Sequence, residues 1–222
     1  EKFVVENRRR EIITLREHQN EEIAIDWYVY DDDNSNNNNI PENGDNNKIT
    51  IMYVGGITSD EFEGVQFMKK IRDECGDVFN ACIFHRRGHF QPLRNPRFNL
   101  FGFSVDLREA IRWVTKKTKR EVAVVGSSAG SAVMIRYLGE LGRRRMTTTT
   151  NSSSLNLGES EEKVLCGVAI SPGYCLETLF DPKSRRHHRE DGIMARIWDY
   201  LLTKRVYAHF FKRHYEMLSS GK

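Results

Sequence analysis

The sequence predicts an α/β fold built on a mostly parallel sheet, and three observations carry that prediction. Strand-like apolar runs alternate with segments whose apolar residues recur at helical spacing. One run, Val78 to His85, is apolar almost throughout, as strands of parallel sheets are when both faces are covered. Another, Val122 to Val125, drops into Gly126-Ser127-Ser128-Ala129-Gly130 and leads at once into a helix-compatible stretch.

Glu11 to Leu15 and Glu22 to Tyr30 alternate well enough for two strands. The polar turn His18-Gln19-Asn20 between them makes an antiparallel hairpin the simple reading. The tract from Asp31 to Asn47 is rich in Asn and Asp and has little to bury, which reads as a disordered insert. Lys48 to Val54 is a third strand that ends at Gly55-Gly56. Phe62 to Cys75 then places Phe62, Val65, Phe67, Met68 and Ile71 roughly on one helical face. Val78 to His85 is the fourth strand, and Arg86 to Gly102, punctuated by Pro92 and Pro96, is a loop.

A helix is expected over Val105 to Lys117, with Ser104 as its cap and Leu107, Ala110, Ile111 and Val114 facing inward. The elbow strand follows, then a helix over Ala129 to Leu141. Arg143 to Lys163 reads as a second low-complexity insert, and Val164 to Ser171 as a sixth strand broken by Pro172-Gly173. The tail, Ile193 to Leu218, carries Ile193, Ile197, Tyr200, Leu201, Tyr207, Phe210, Phe211 and Leu218 at helical spacing, which fits one or two amphipathic helices. The domain reading is one unit over 1–222 with inserts at 31–47 and 143–163.

Composition narrows the function classes. A 39% hydrophobic and 29% charged chain reads as globular, and no run of about 18 apolar residues marks a membrane span. No signal segment is visible either, but the chain starts at Glu1, so compartment is not read from that absence; cytoplasmic or membrane-associated placement is the expectation. The four cysteines form no CxxC pair, so reduced thiols are expected, buried where strands carry them, with no metal site. Net charge is a mild +3, and the basic clusters at Arg8 to Arg10, Arg143 to Arg145 and 185–189 lack interleaved aromatics. Solvated loops are the default for these. A nucleic-acid partner is not expected, and contact with anionic lipid heads is the modest alternative.

Gly-x-Ser-x-Gly between a strand and a helix is the context of a nucleophile elbow. Ser128 sits at the apex, with small residues two before and two after because the chain folds back tightly there. An oxyanion hole needs two backbone donors aimed where charge develops. The Ala129 amide, next after the nucleophile, is one candidate; the Ile57 amide, after Gly55-Gly56, is the other. The bland readings are a tight-turn serine and a glycine pair that merely ends a strand.

Five segments together resemble the α/β-hydrolase fold, and within it the YheT-like branch that includes plant embryogenesis-associated esterases. Arg9-Arg10-Glu11 with Asp26-Trp27 is similar to that branch's RRE…DW hairpin. Val54 to Thr58 resembles its PGLT turn, with Gly55 in place of the usual Pro. Phe84 to Gly88 resembles FNxRG, and Gly102 to Glu109 resembles G-x-T-x-DLRE. Gly126 to Gly130 with Tyr137-Leu138-Gly139 resembles GxSxGxN…NYLG, with Ser131-Ala132 where Ala-Asn is usual.

The resemblance implies a serine hydrolase of carboxylic esters, acyl lipids or medium-chain esters, with no cofactor. It also implies an N-terminal portion of that fold: the C-terminal strands with the acid and histidine would lie beyond Lys222, and 185–222 would begin the lid helices. Asp181 with His209 or His214 satisfies the Ser–Asp–His chain order and is the in-chain alternative. Arg87 and Asp106 match motif positions and read as structural braces. The rival of another class is a non-catalytic binding protein that retains the fold.

Overall fold

A computed structural model describes residues 8–16, 21–28, 49–59, 61–76, 78–89, 91–97, 99, 103–150, 162–172 and 192–219. The insert at 31–47, most of the 143–163 tract and Asp181 lie outside the described residues.

Six strands form one mixed sheet: β1 Arg8–Thr14, β2 Glu22–Tyr28, β3 Ile49–Val54, β4 Phe79–His85, β5 Val122–Ser127 and β6 Val164–Ile170. Their order is β1-β2-β4-β3-β5-β6. The β1–β2 pair is antiparallel, as the hairpin reading expects, and β2 lies antiparallel to β4. The other neighbours run parallel, so β4, β3 and β5 all end at one edge of the sheet. That edge is where open α/β sheets gather their ligand-binding loops.

Helices cover both faces, which explains the near-continuous apolar strands. Along β3, Met52 and Val54 point into a core shared with Ile23, Ile25, Trp27, Cys82, Phe84 and Val124. That face is covered by α2, Ser104–Thr118, through Leu107, Ile111 and Val114, and by α3, Ala129–Thr150, through Val133, Met134 and Tyr137. Tyr53, Ala81, Ile83 and Val125 point the other way and meet Met68, with Val65, Phe67 and Ile71, on α1, Glu61–Cys75. No described helix is long and apolar enough to cross a membrane.

Two motif pairs turn out to be buried charge braces. Arg10 stands opposite Asp26 in the β1–β2 register and bonds both its carboxylate oxygens, at 2.6 and 2.7 Å. His85 of β4 reaches the same carboxylate at 2.7 Å, so one fully buried group ties three strands together. Burial alone raises the Asp26 pKa; the Arg10 and His85 hydrogen bonds outweigh it and hold the carboxyl well below the usual range. Arg87, just past β4, forks onto Asp106 of α2 at 2.7 and 2.8 Å and also pairs with Glu21. Removing one partner from such a buried pair costs about 3–5 kcal/mol, because the survivor is left uncompensated.

Three expectations are corrected. Ser104 is not the cap of α2: Phe103 holds that position, with no side-chain cap bond, and the Ser104 hydroxyl instead donates to Glu140 at 2.5 Å. The helix after the elbow does not end at Leu141 but runs to Thr150, so the first eight residues assigned to the 143–163 insert are helical. Arg143 to Thr150 contains neither Gly nor Pro to stop a helix. Among the cysteines, Cys82 is buried but Cys166 on β6 is exposed, because β6 is the last strand of the described sheet. Leu165 and Val168 of β6 are 50% exposed, an apolar edge. The tail folds as α4, Gly192–Val206, a π-helical turn, Tyr207–Lys212, and α5, Tyr215–Ser219.

Candidate active site

β5 delivers the chain to Ser128 and α3 takes it away. Ser128 has φ of +50°, in the left-handed region that serine seldom adopts, and it is exposed. An L-residue in that conformation costs about 1–3 kcal/mol and persists only where its surroundings enforce it. The surroundings are visible. The Ser128 amide donates to the Ile170 carbonyl at 2.9 Å, and its carbonyl accepts from the Ser131 amide at 3.0 Å.

The neighbouring Ser131 is turned to other work. The fully buried Ser131 hydroxyl donates to the Gly126 and Ile170 carbonyls, at 2.6 and 2.9 Å, closing the elbow onto β6. Sequence reading gave Ser131 no structural role, since its partners are set by the β5–β6 register. The small residues of the motif are required sterically. A Cβ on Gly126 would lie 2.7 Å from the Ser131 Cα, and one on Gly130 would collide with the Val54 and Gly55 carbonyl oxygens.

Those two carbonyls lie at the end of β3 and the start of the turn that follows it, so the two candidate oxyanion segments meet. A Cβ on Gly56 would stand 3.4 Å from the Ser128 Cβ and 3.7 Å from the Ser127 carbonyl. Ile57, next along, is half-buried at the start of the turn. Ala129 opens α3, where the first amides have no partner within the helix. Ser128, Ile57 and Ala129 are therefore gathered at one end of the parallel strands.

A third segment closes this end. After β4 the chain runs His85-Arg86-Arg87-Gly88-His89, and the tail packs on it. Arg213 donates to the His89 carbonyl at 2.8 Å, and Phe210 stacks on the His89 ring with centroids 5.8 Å apart. His214 is buried, and its Nε2 lies 2.6 Å from the Gly88 carbonyl. That contact uses Nε2 as a donor and ties the tail to the β4 loop. His209 sits in the π-helical turn, partly buried. The structure thus brings the tail histidines near the His89 loop and directs His214 to Gly88.

Arg86 is the residue of this site that sequence reading missed. By sequence it is only the first residue of the loop from Arg86 to Gly102, yet it is 1% exposed. Its Nη2 donates to the Gly55 carbonyl at 2.9 Å and also to the Gly56 carbonyl. Burial pulls its pKa down to about 10, which leaves it charged at neutral pH.

His89 has a measurable consequence for stability. Burial, then the charge of Arg86 and smaller contributions from His85, His209 and Arg213, lowers its pKa to about 2. The unfolded chain takes up a proton near pH 6.5 that the folded protein refuses, so His89 titration costs nothing above pH 6.5 and destabilises increasingly below it. A full proton of difference is worth about 1.4 kcal/mol per pH unit. Urea unfolding between pH 7 and 4.5 is expected to lose about one proton of slope in His89→Phe. An unchanged slope would mean that His89 protonates freely in the folded state.

No protein-family model matches the chain. A curated relative, the human protein ABHD15, is 40% identical over 68 residues, which are 30% of this chain and 14% of that protein. Among solved structures, the Pyrococcus furiosus esterase Pf2001 superposes with a TM-score of 0.51 at 20% identity, covering 78% of this chain and 54% of that one. A Lactobacillus plantarum lipase/esterase gives 0.51 at 14% identity, covering 81% and 66%. The chain therefore spans about half the length of the first of these esterases and a small part of the curated relative. At these identities the likeness carries the fold alone: the mixed sheet with its flanking helices is the α/β-hydrolase fold.

Proposed function

We propose that this α/β-hydrolase-fold chain carries the nucleophile and oxyanion hole of a serine hydrolase acting on carboxylic esters, with acyl lipids or medium-chain esters as the substrate class. The observation that supports it most directly is Ser128, exposed at φ +50° on the apex between β5 and α3. Strain of that kind is kept where an exposed hydroxyl must stand clear of its own backbone. The esterase names of the structural neighbours support the ester, and the resemblance to the YheT-like branch supports the acyl lipid.

The chemistry follows from the positions. The Ser128 hydroxyl oxygen attacks the ester carbonyl carbon as its proton passes to a general base. Negative charge gathers on the carbonyl oxygen, and the Ile57 and Ala129 amides donate to it. Collapse of the tetrahedral species breaks the bond to the alcohol and leaves an acyl group on Ser128, which water then removes. A fixed pair of amides stabilises the developing charge without reorganising at the moment of reaction, and the loss of one such donor costs about 10²–10³ in rate.

A fluorophosphonate probe tests this reading. It is expected to label the protein, with peptide mass spectrometry placing the adduct on Ser128. An adduct on Ser127 or Ser131 would overturn the assignment. The reading as a non-catalytic binding protein is favoured by one observation, the engagement of His214 with the Gly88 carbonyl in place of a catalytic partner. A complete, folded protein that takes no label decides for that alternative.

A further inference from the structure

Arg86 and the glycine turn, taken together, carry more than a packing contact. We infer that Arg86 is a positioning residue that sets the direction of the Ile57 amide, and this rests on the serine-hydrolase reading of the site. A trans peptide is planar, with its C=O and N–H pointing opposite ways. The Gly56 carbonyl and the Ile57 N–H belong to one such plane. A donor that captures the Gly56 oxygen therefore turns the Ile57 N–H away from itself, and the Nη2 of Arg86 is that donor. The same atom holds the Gly55 oxygen at 2.9 Å, so two successive peptide planes are fixed from one point.

The elements around the turn fit the assignment. Arg86 lies on the interior side, 1% exposed, and the Ser128 Cβ lies 3.4 Å from where a Gly56 Cβ would be. Glycine at 55 and 56 brings the backbone close to its neighbours: a Cβ at 55 would stand 2.8 Å from the Ser59 Cβ. Without side chains of their own, these residues cannot lock the turn through packing, and the guanidinium supplies the restraint from outside. A charge-assisted bond to a carbonyl also polarises the peptide, which strengthens its N–H as a donor to an oxyanion. Lysine is a poor substitute, as its ammonium is more strongly hydrated, and so costlier to bury, and sits on a flexible stem that fixes its position less well than the planar guanidinium.

The test compares Arg86→Lys and Arg86→Met with the intact wild-type protein. Three quantities are measured: turnover of 4-nitrophenyl butyrate, inhibition by a trifluoromethyl ketone and hydrogen exchange of the 55–59 backbone. Arg86→Met is expected to lower kcat about 10²-fold with KM little changed, the scale set by misplacing a catalytic group by about 1 Å. Affinity for the ketone, whose adduct carries the oxyanion, is expected to fall by the same factor as kcat/KM. Exchange at 55–59 is expected to quicken while the remainder of the sheet stays protected, and Arg86→Lys is expected to fall between wild type and Met.

A purely structural role would lower the melting temperature and leave kcat and ketone affinity intact in the folded fraction, which overturns the inference. Should Arg86→Met not fold, Arg86→Lys decides: wild-type ketone affinity with wild-type exchange at 55–59 overturns it. A wild-type protein that fluorophosphonate does not label sinks the hydrolase reading separately. The positioning of the Ile57 amide is then judged on exchange alone, and unchanged exchange in the variants overturns it.

Discussion

Ser128→Gly is expected to make the protein more stable by about 1 kcal/mol while removing ester turnover. Serine at φ +50° is strained by about 1–3 kcal/mol, and glycine adopts that region freely. Glycine also loses more freedom on folding, roughly 0.5–1 kcal/mol, so only part of the strain returns as stability. Ser128→Ala separates the two effects. Alanine keeps the strain and loses the hydroxyl, so stability should hold within about 0.5 kcal/mol while turnover falls by on the order of 10⁶-fold, the scale of losing a nucleophile. Urea titrations beside ester kinetics on the three proteins make the comparison. A glycine variant no more stable than wild type would show that the left-handed conformation is not enforced at this position. Turnover that survives in the alanine variant would remove Ser128 from the chemistry.

Gly130→Ala is expected to be the most damaging single methyl in the described residues, costing more than about 4 kcal/mol against a total stability of roughly 5–15 kcal/mol. The added carbon would overlap the Val54 and Gly55 carbonyl oxygens. These are backbone atoms at the end of β3 and cannot swing aside as a side chain would. Either α3 lifts from the sheet, or the 55–57 turn moves and takes the candidate oxyanion donor with it. Gly139→Ala, nine residues on in the same helix, has nothing within 4 Å of the new carbon and is expected to gain about 1 kcal/mol from helix propensity alone. Opposite signs for one substitution in one helix test the packing rather than the propensity. A Gly130→Ala variant within 1 kcal/mol of wild type would mean that α3 does not start against β3 as described.

What the sequence determined by itself is local. Strand runs such as 79–85 and 122–127 were legible because burial on two faces demands unbroken apolar residues, and that demand is written residue by residue. The elbow was legible because a strand-to-helix reversal needs small residues at fixed offsets from its apex, here Gly126 and Gly130 about Ser128. Helix limits were less so. Arg143 to Thr150 was read as insert from its composition, but low complexity is not a stop signal, and α3 continues through it. Ser104 had the right chemistry for a cap and was claimed by Glu140 on α3, a partner 36 residues away.

The tertiary structure decided everything that depends on distant segments meeting. Arg10, Asp26 and His85 become one buried brace only when β2 pairs with both β1 and β4. Ser131 joins the elbow to β6 only through the β5–β6 register. Arg86 stands at the start of a stretch that reads simply as a loop. It is buried because β4 ends beside β3 in a parallel pair, which sets the residue after His85 beneath the Gly55-Gly56 carbonyls. A side chain's environment is a property of the elements that arrive around it: the carbonyls that meet Arg86 come from 30 residues upstream, and the tail that packs on the same loop reaches Gly88 from 126 residues downstream.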